Sequence, residues 1–314
     1  MPVSKSLTSN LLLLLTAIIW GFAFVAQRAG MEHVGPFTFN GIRFLLGCVT
    51  LLPLLYFQGK TVNRKGLAEG KWSRDDVAGG LLAGLVMFMA VSLQQIGIVH
   101  TTAGKAGFIT GLYVILVPVV GIFIRQKTSI TVWAGAVVAA IGLYFLSITE
   151  NFTLAMGDSF VLISGLFFTF HILIIGKFSA RANIIRLSVL QFFVCAVLSL
   201  VAAFATETIE LSGVTDAVIP ILYGGIFSVG IAYTLQVAGQ KHAHPSAASI
   251  ILSLESLFAV IGGWLILNEL MTARNLFGCA LMLSGMIMAQ LRFGSKASAI
   301  GLPASQEIQS DNLQ

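Results

Sequence analysis

Long apolar runs separated by short polar stretches dominate this chain. Ten runs can be marked, at roughly residues 10–27, 36–57, 77–99, 102–124, 131–148, 158–176, 185–205, 217–237, 245–267 and 275–291. Each is long enough to be a membrane-crossing helix, because a helix rises 1.5 Å per residue and the hydrocarbon core is ~30 Å thick. The strict alternation of outer-membrane barrel strands does not occur. The first run begins like a signal peptide but continues through Trp20 to Val25, with no clear small-residue cleavage site. It therefore predicts a first span and not a removed leader. After Phe293 the pattern ends, and the polar stretch 294–314 predicts a disordered cytoplasmic tail.

Composition agrees with the pattern. Apolar residues make up 57% of the chain and charged ones 10%, against about 25% charged in a soluble domain. Mean hydropathy is +0.92, so the expected fold is an all-α integral membrane protein. The net charge of +5 takes its meaning from its distribution. With both termini placed in the cytoplasm, fourteen of the eighteen lysines and arginines fall inside; Arg28 and Arg274 fall outside, and Arg43 and Lys105 lie within spans. The positive-inside rule then fixes a multi-pass orientation in a plasma membrane of the bacterial inner-membrane type. The basic balance is topological and gives no reason to expect nucleic acid as a partner. Cys48, Cys195 and Cys279 all sit in apolar runs and read as reduced small hydrophobes, not as a disulfide pair or metal cluster.

The runs repeat. HTTAGKAGFITGLYVILVPVVGIFI from His100 parallels HAHPSAASIILSLESLFAVIGGWLI from His242, an offset of 142 residues. The next runs share a G-x6-G spacing, Gly135 to Gly142 and Gly278 to Gly285. Two five-span halves follow, 1–150 and 151–293. Five is odd, so the halves cross the membrane in opposite senses, as ten transmembrane helices in two inverted five-helix repeats. Such an architecture lets one site near the midplane face either side in turn.

The motifs IIWGFAF, IRFLLG, GKAGFITGLYVILVP and LESLFAVIGGWLILNELMTARNLFGCALMLSG, in that order and on a duplicated frame, resemble the drug/metabolite transporter superfamily, specifically the ten-span EamA-type transporters. The resemblance covers about Asn10 to Arg292 and implies a carrier that exports small organic solutes such as amino acids. One departure is visible. The family often has proline after the ninth-span glutamate, where this chain has Ser256, while Pro118 remains in the first half.

Candidate residues are those whose chemistry is out of place in lipid. Glu255 lies about ten residues into the ninth run, ~15 Å deep, where a carboxylate is costly. It could exchange a proton or meet a substrate ammonium; a purely structural role in tying helices together is the alternative. Arg43, deep in the second run, is expected to pair with Glu255 or with backbone carbonyls, or else to bind a substrate carboxylate. Lys105 can snorkel to the outer interface or line a vestibule. Pro118 is expected to loosen the fourth helix just past Tyr113, which the repeat offset sets opposite Glu255. Gly107 and Gly111 allow close helix approach. Trp20, His171, Gln94, Gln95, Gln236, Tyr223 and Tyr233 are further polar or aromatic candidates, and neighbours Gln94 and Gln95 cannot share a face.

No hydrolase, metalloprotease or P-loop motif occurs, so neither an enzyme nor ATP drive is indicated, and no cofactor or metal is called for. The leading expectation is a secondary transporter, possible homodimer included, moving a small-molecule solute through the lipid bilayer. Two alternatives stand beside it: an intramembrane enzyme on lipid-linked substrates using Glu255 and His171, or a channel-like facilitator.

Overall fold

The computed structural model describes residues 5–64, 72–101, 103–147, 156–267 and 272–290, and among these every regular element is helical. The first half comprises α1 (Lys5–Gly30), α2 (Pro36–Arg64), α3 (Arg74–Val99), α4 (Ala103–Gly111), α5 (Tyr113–Phe123) and α6 (Ile130–Ser147). In the second, α7 (Met156–Phe178) and α8 (Ile184–Thr206) lead into α9 (Leu211–Asp216), α10 (Val218–Leu222), a π-helical segment (Tyr223–Tyr233) and α11 (Thr234–Gln240). The last elements are α12 (Pro245–Leu252), α13 (Glu255–Leu267) and α14 (Ala273–Gln290). Eight stretches, the first Ser6–Gly30 and the last Pro245–Ile266, are long and apolar enough to cross a bilayer. The fifth and tenth expected spans are shorter apolar helices, Ile130–Phe145 and Ala273–Ala289. At 18 residues, α6 and α14 each extend about 27 Å. The tail 294–314 lies outside the described residues.

Three expected spans are not simple helices. The fourth breaks at Leu112 between α4 and α5, and the ninth breaks at Ser253 and Leu254 between α12 and α13. Hydrogen bonds of the tighter i to i−3 kind fill both breaks: Ile115 N–H donates to Leu112 O (3.0 Å), and Ser256 N–H to Ser253 O (3.1 Å). The interruption falls ahead of Tyr113 and not past it as the sequence suggests, because the carbonyl that Pro118 cannot serve is that of Val114, where α5 continues unbroken. In the ninth span no proline acts. Instead the Ser253 hydroxyl donates back to Ile250 O (2.9 Å), the kind of side-chain bond that bends helices. The eighth span widens into the π segment. Carbonyls there are taken by donors from α1, with Trp20 Nε1 on Ser228 O (3.2 Å) and Thr16 Oγ1 on Ala232 O (3.2 Å). Backbone polarity at membrane depth is thereby met within the protein.

Glycines set the closest helix contacts. A Cβ on Gly135 would lie 2.6 Å from Gly285 O, and one on Gly142 would lie 2.7 Å from Gly278 O. The two G-x6-G motifs therefore face each other in antiparallel sense across the α6/α14 crossing. Acidic side chains fasten two helix starts. Glu207 accepts from Phe37 N–H (2.8 Å), Thr38 N–H (2.8 Å) and Thr38 Oγ1 (2.7 Å) at the head of α2. Asp76 accepts from Ser73 N–H (2.9 Å) and Asn183 N–H (2.7 Å) and pairs with Arg186 (3.6 Å) at the head of α8. Cys48 and Cys195 are free and buried as expected; Cys279 is free but half-buried, packed against the core around Met282.

Candidate functional site

Tyr113 is the first residue of α5 and Glu255 the first of α13, so each follows directly on the break in its span. The Tyr113 hydroxyl donates to Glu255 Oε1 at 2.9 Å, across a sequence separation of 142 residues. That separation equals the 142-residue offset read from the sequence. The positive end of a helix dipole favours negative charge, which suits a carboxylate at the head of α13. Glu255 is only 3% exposed.

Beside this pair lies a small cavity of about 30 Å³, room for about one water. Its walls come from both halves. Trp20, Phe24 and Gln27 are supplied by α1, Arg43 by α2 and Gln94 by α3; Thr110 and Tyr113 flank the first break. The second half adds Phe168, Ile172, Ser228, Tyr233, Gln236 and Glu255. Gln94 Nε2 donates to Thr110 Oγ1 (3.0 Å), tying together two residues of the lining. Trp20 packs on Tyr233 with ring centroids 4.5 Å apart, forming an aromatic wall.

Arg43 departs from its expected pairing. It makes no ion pair with Glu255 and no bond to a backbone carbonyl among the described residues. Its Nε donates to Asn40 Oδ1 (2.9 Å), and its guanidinium lies between the rings of Phe39 (5.4 Å) and Phe44 (5.1 Å).

Of the other sequence candidates, Trp20, Tyr113, Gln94, Tyr233 and Gln236 share the cavity with Glu255 and Arg43. Gln95 points away and donates to Gln27 O (3.4 Å), so the neighbouring glutamines do divide between faces. His171 is fully buried outside the cavity, bonded to Gln191 Oε1 (3.1 Å) and edge-on to Tyr233. Tyr223 is likewise off the cavity, donating to Ile19 O (3.0 Å). The side chain of Lys105 lies outside the described residues. Pro118 is buried within α5. Gly107 and Gly111 face α13: Ser256 Oγ donates to Gly107 O (2.6 Å), and a Cβ on Gly111 would sit 2.7 Å from that hydroxyl.

Sequence reasoning missed Gln27, Thr110, Ser228 and Asn40, and marked Ser256 only as a departure from the family pattern. Asn40 had a usable signal, since it precedes Arg43 by one helical turn. The others are small or neutral polar residues inside apolar runs, indistinguishable there from packing.

The comparisons agree on one family. A family model described as the EamA-like transporter family matches residues 7–148 and again 155–290. An uncharacterized transporter of Archaeoglobus fulgidus is 32% identical over 295 residues, covering 92% of this chain and 87% of that protein. The uncharacterized transporter YoaV of Bacillus subtilis is 24% identical over 285 residues, covering 89% and 95%. One solved crystal structure is similar at a TM-score of 0.71 with 16% identity, covering 90% of this chain and 96% of that one, which is a likeness of fold.

Proposed function

The chain belongs to the EamA-like transporter family, and from that premise we propose that it is a secondary exporter of small polar or amphipathic solutes such as amino acids, working by alternating access. Ten helices arranged as two inverted repeats, 1–150 and 151–293, would carry the cycle, with both ends of the chain in the cytoplasm of a bacterial-type cell. The family model matches once in each half, and the facing G-x6-G motifs of α6 and α14 sit where such a pseudo-symmetry would bring them.

One observation carries the reading: two spans are interrupted immediately before Tyr113 and Glu255, and those residues bond to each other beside a central cavity. Discontinuous helices meeting near the midplane are how carriers build a site that can open to either side. Glu255 serves as the proton-coupling group, exchanging its bond to Tyr113 for a proton or for the solute.

Counterflow of radiolabelled amino acids in proteoliposomes tests this. Wild-type protein is expected to show trans-acceleration and a pH-dependent rate, and Glu255→Gln to lose the pH dependence. An unchanged rate and profile in the variant would reduce Glu255 to a structural residue. Uptake without trans-acceleration would replace the carrier by a facilitator.

A further inference from the structure

Arg43 is 2% exposed and lines the central cavity, yet among the described residues only its Nε has a hydrogen-bond partner. That partner is held in turn, because Asn40 Nδ2 donates to Val91 O at 3.1 Å. The two bonds fix the Asn40 amide with its oxygen toward arginine, which settles its orientation chemically. With Nε engaged and Cζ over the rings of Phe39 and Phe44, the two Nη groups remain without a hydrogen-bond partner among the described residues, on a residue that lines the cavity. The stem passes close to Gly224, where a Cβ would be 3.3 Å from Arg43 Cδ, so the residue is seated along its length. A buried cation without a counter-ion is unfavourable, and the flanking rings offset only part of that cost.

Resting on the carrier reading above, we propose that Arg43 is the docking point for a carboxylate of the transported solute. The planar fork matches a carboxylate with two parallel hydrogen bonds. A phosphate shares that geometry but carries more charge than one guanidinium balances in a cavity that also holds Glu255. The rest of the solute lies against Trp20 and Phe24, with the amides of Gln27, Gln94 and Gln236 available to its polar groups. Asn40 is the positioning residue that aims the fork.

Thermal unfolding of the purified full chain in detergent, with probe pairs differing at one group, tests this. The pairs are benzoate with benzamide, indole-3-acetate with indole-3-acetamide and L-leucine with L-leucinamide; inorganic phosphate is the further anion. The carboxylate of at least one pair is expected to raise Tm with an apparent affinity about tenfold or more above its amide, as the loss of a charged hydrogen-bonded pair dictates. In Arg43→Gln that response should vanish while the ligand-free Tm stays at or above wild type, because an uncompensated buried charge has been removed. Arg43→Lys, a point charge without the fork, should retain only part of it. Equal responses within every pair, stabilisation by phosphate alone, or no carboxylate response would overturn the proposal. So would an Arg43→Gln protein that still responds to carboxylates. A destabilised variant leaves the wild-type pairs to decide. Trans-acceleration judges the carrier reading separately, whichever end of the solute Arg43 holds.

Discussion

His244 sits on the turn between α11 and α12 and holds the start of α12 through its Nδ1, which accepts from Ser246 N–H at 3.4 Å. That bond requires a neutral ring nitrogen, and burial pushes the imidazole below its ordinary value of 6.5. The folded protein therefore binds fewer protons here than the unfolded chain does. Stability is whole above about pH 6.5 and is lost as the pH falls through that value toward the lowered one. Tm is expected to fall between pH 7 and pH 5, and His244→Asn, which caps without titrating, should flatten that part of the dependence; an unchanged slope would remove His244 from the account. Arg43 marks how far single residues were legible. Its depth in an apolar run marked it as functional, but the expected pairing with Glu255 failed because opposite charges attract only within reach, and Asn40 one turn away satisfied Nε first. The Tyr113–Glu255 contact was legible because the repeat offset ties the two positions together.

At the level of helices, the α6/α14 crossing depends on bare backbone. Gly142→Ala would set a methyl 2.7 Å from Gly278 O and must separate the pair, an overpacking worth about 1–3 kcal/mol. Gly104→Ala in α4 meets nothing within 4 Å and should be neutral or slightly stabilising. A lower Tm for the first and not the second, measured in one detergent, is the expected result; equal effects would mean the crossing is not tight. Hydropathy located the runs to within a few residues. It was blind to the breaks at Leu112 and at Ser253 and to the π segment, because those changes rearrange backbone bonds without altering how apolar the stretch is.

Orientation belongs to the whole molecule. Arg181, exposed on the turn between α7 and α8, and Ser212, exposed on α9, lie at opposite ends of α8. Cysteines placed there should react with a membrane-impermeant maleimide from the cytoplasm and from outside respectively, with the native thiols buried or half-buried; the reverse pattern would invert the proposed topology. At this scale eight of the ten expected spans are long and apolar enough to cross a bilayer among the described residues, and the short reach of α6 and α14 was already legible in the runs 131–148 and 275–291, each closed off by polar residues.

Tyr113 and Glu255 occupy counterpart positions, yet one is a phenol and the other an acid. Two identical halves would make the inward-open and outward-open forms mirror states of equal energy, and the resting population would be split evenly between them. Unlike residues at the shared position remove that degeneracy, as does a π segment whose counterpart α3 is an ordinary helix. In the proposed alternating-access cycle that asymmetry would favour one facing before any solute or gradient acts, and exchanging the pair, Tyr113→Glu with Glu255→Tyr, is expected to shift the resting balance, read as a change in which side a cavity cysteine is labelled from.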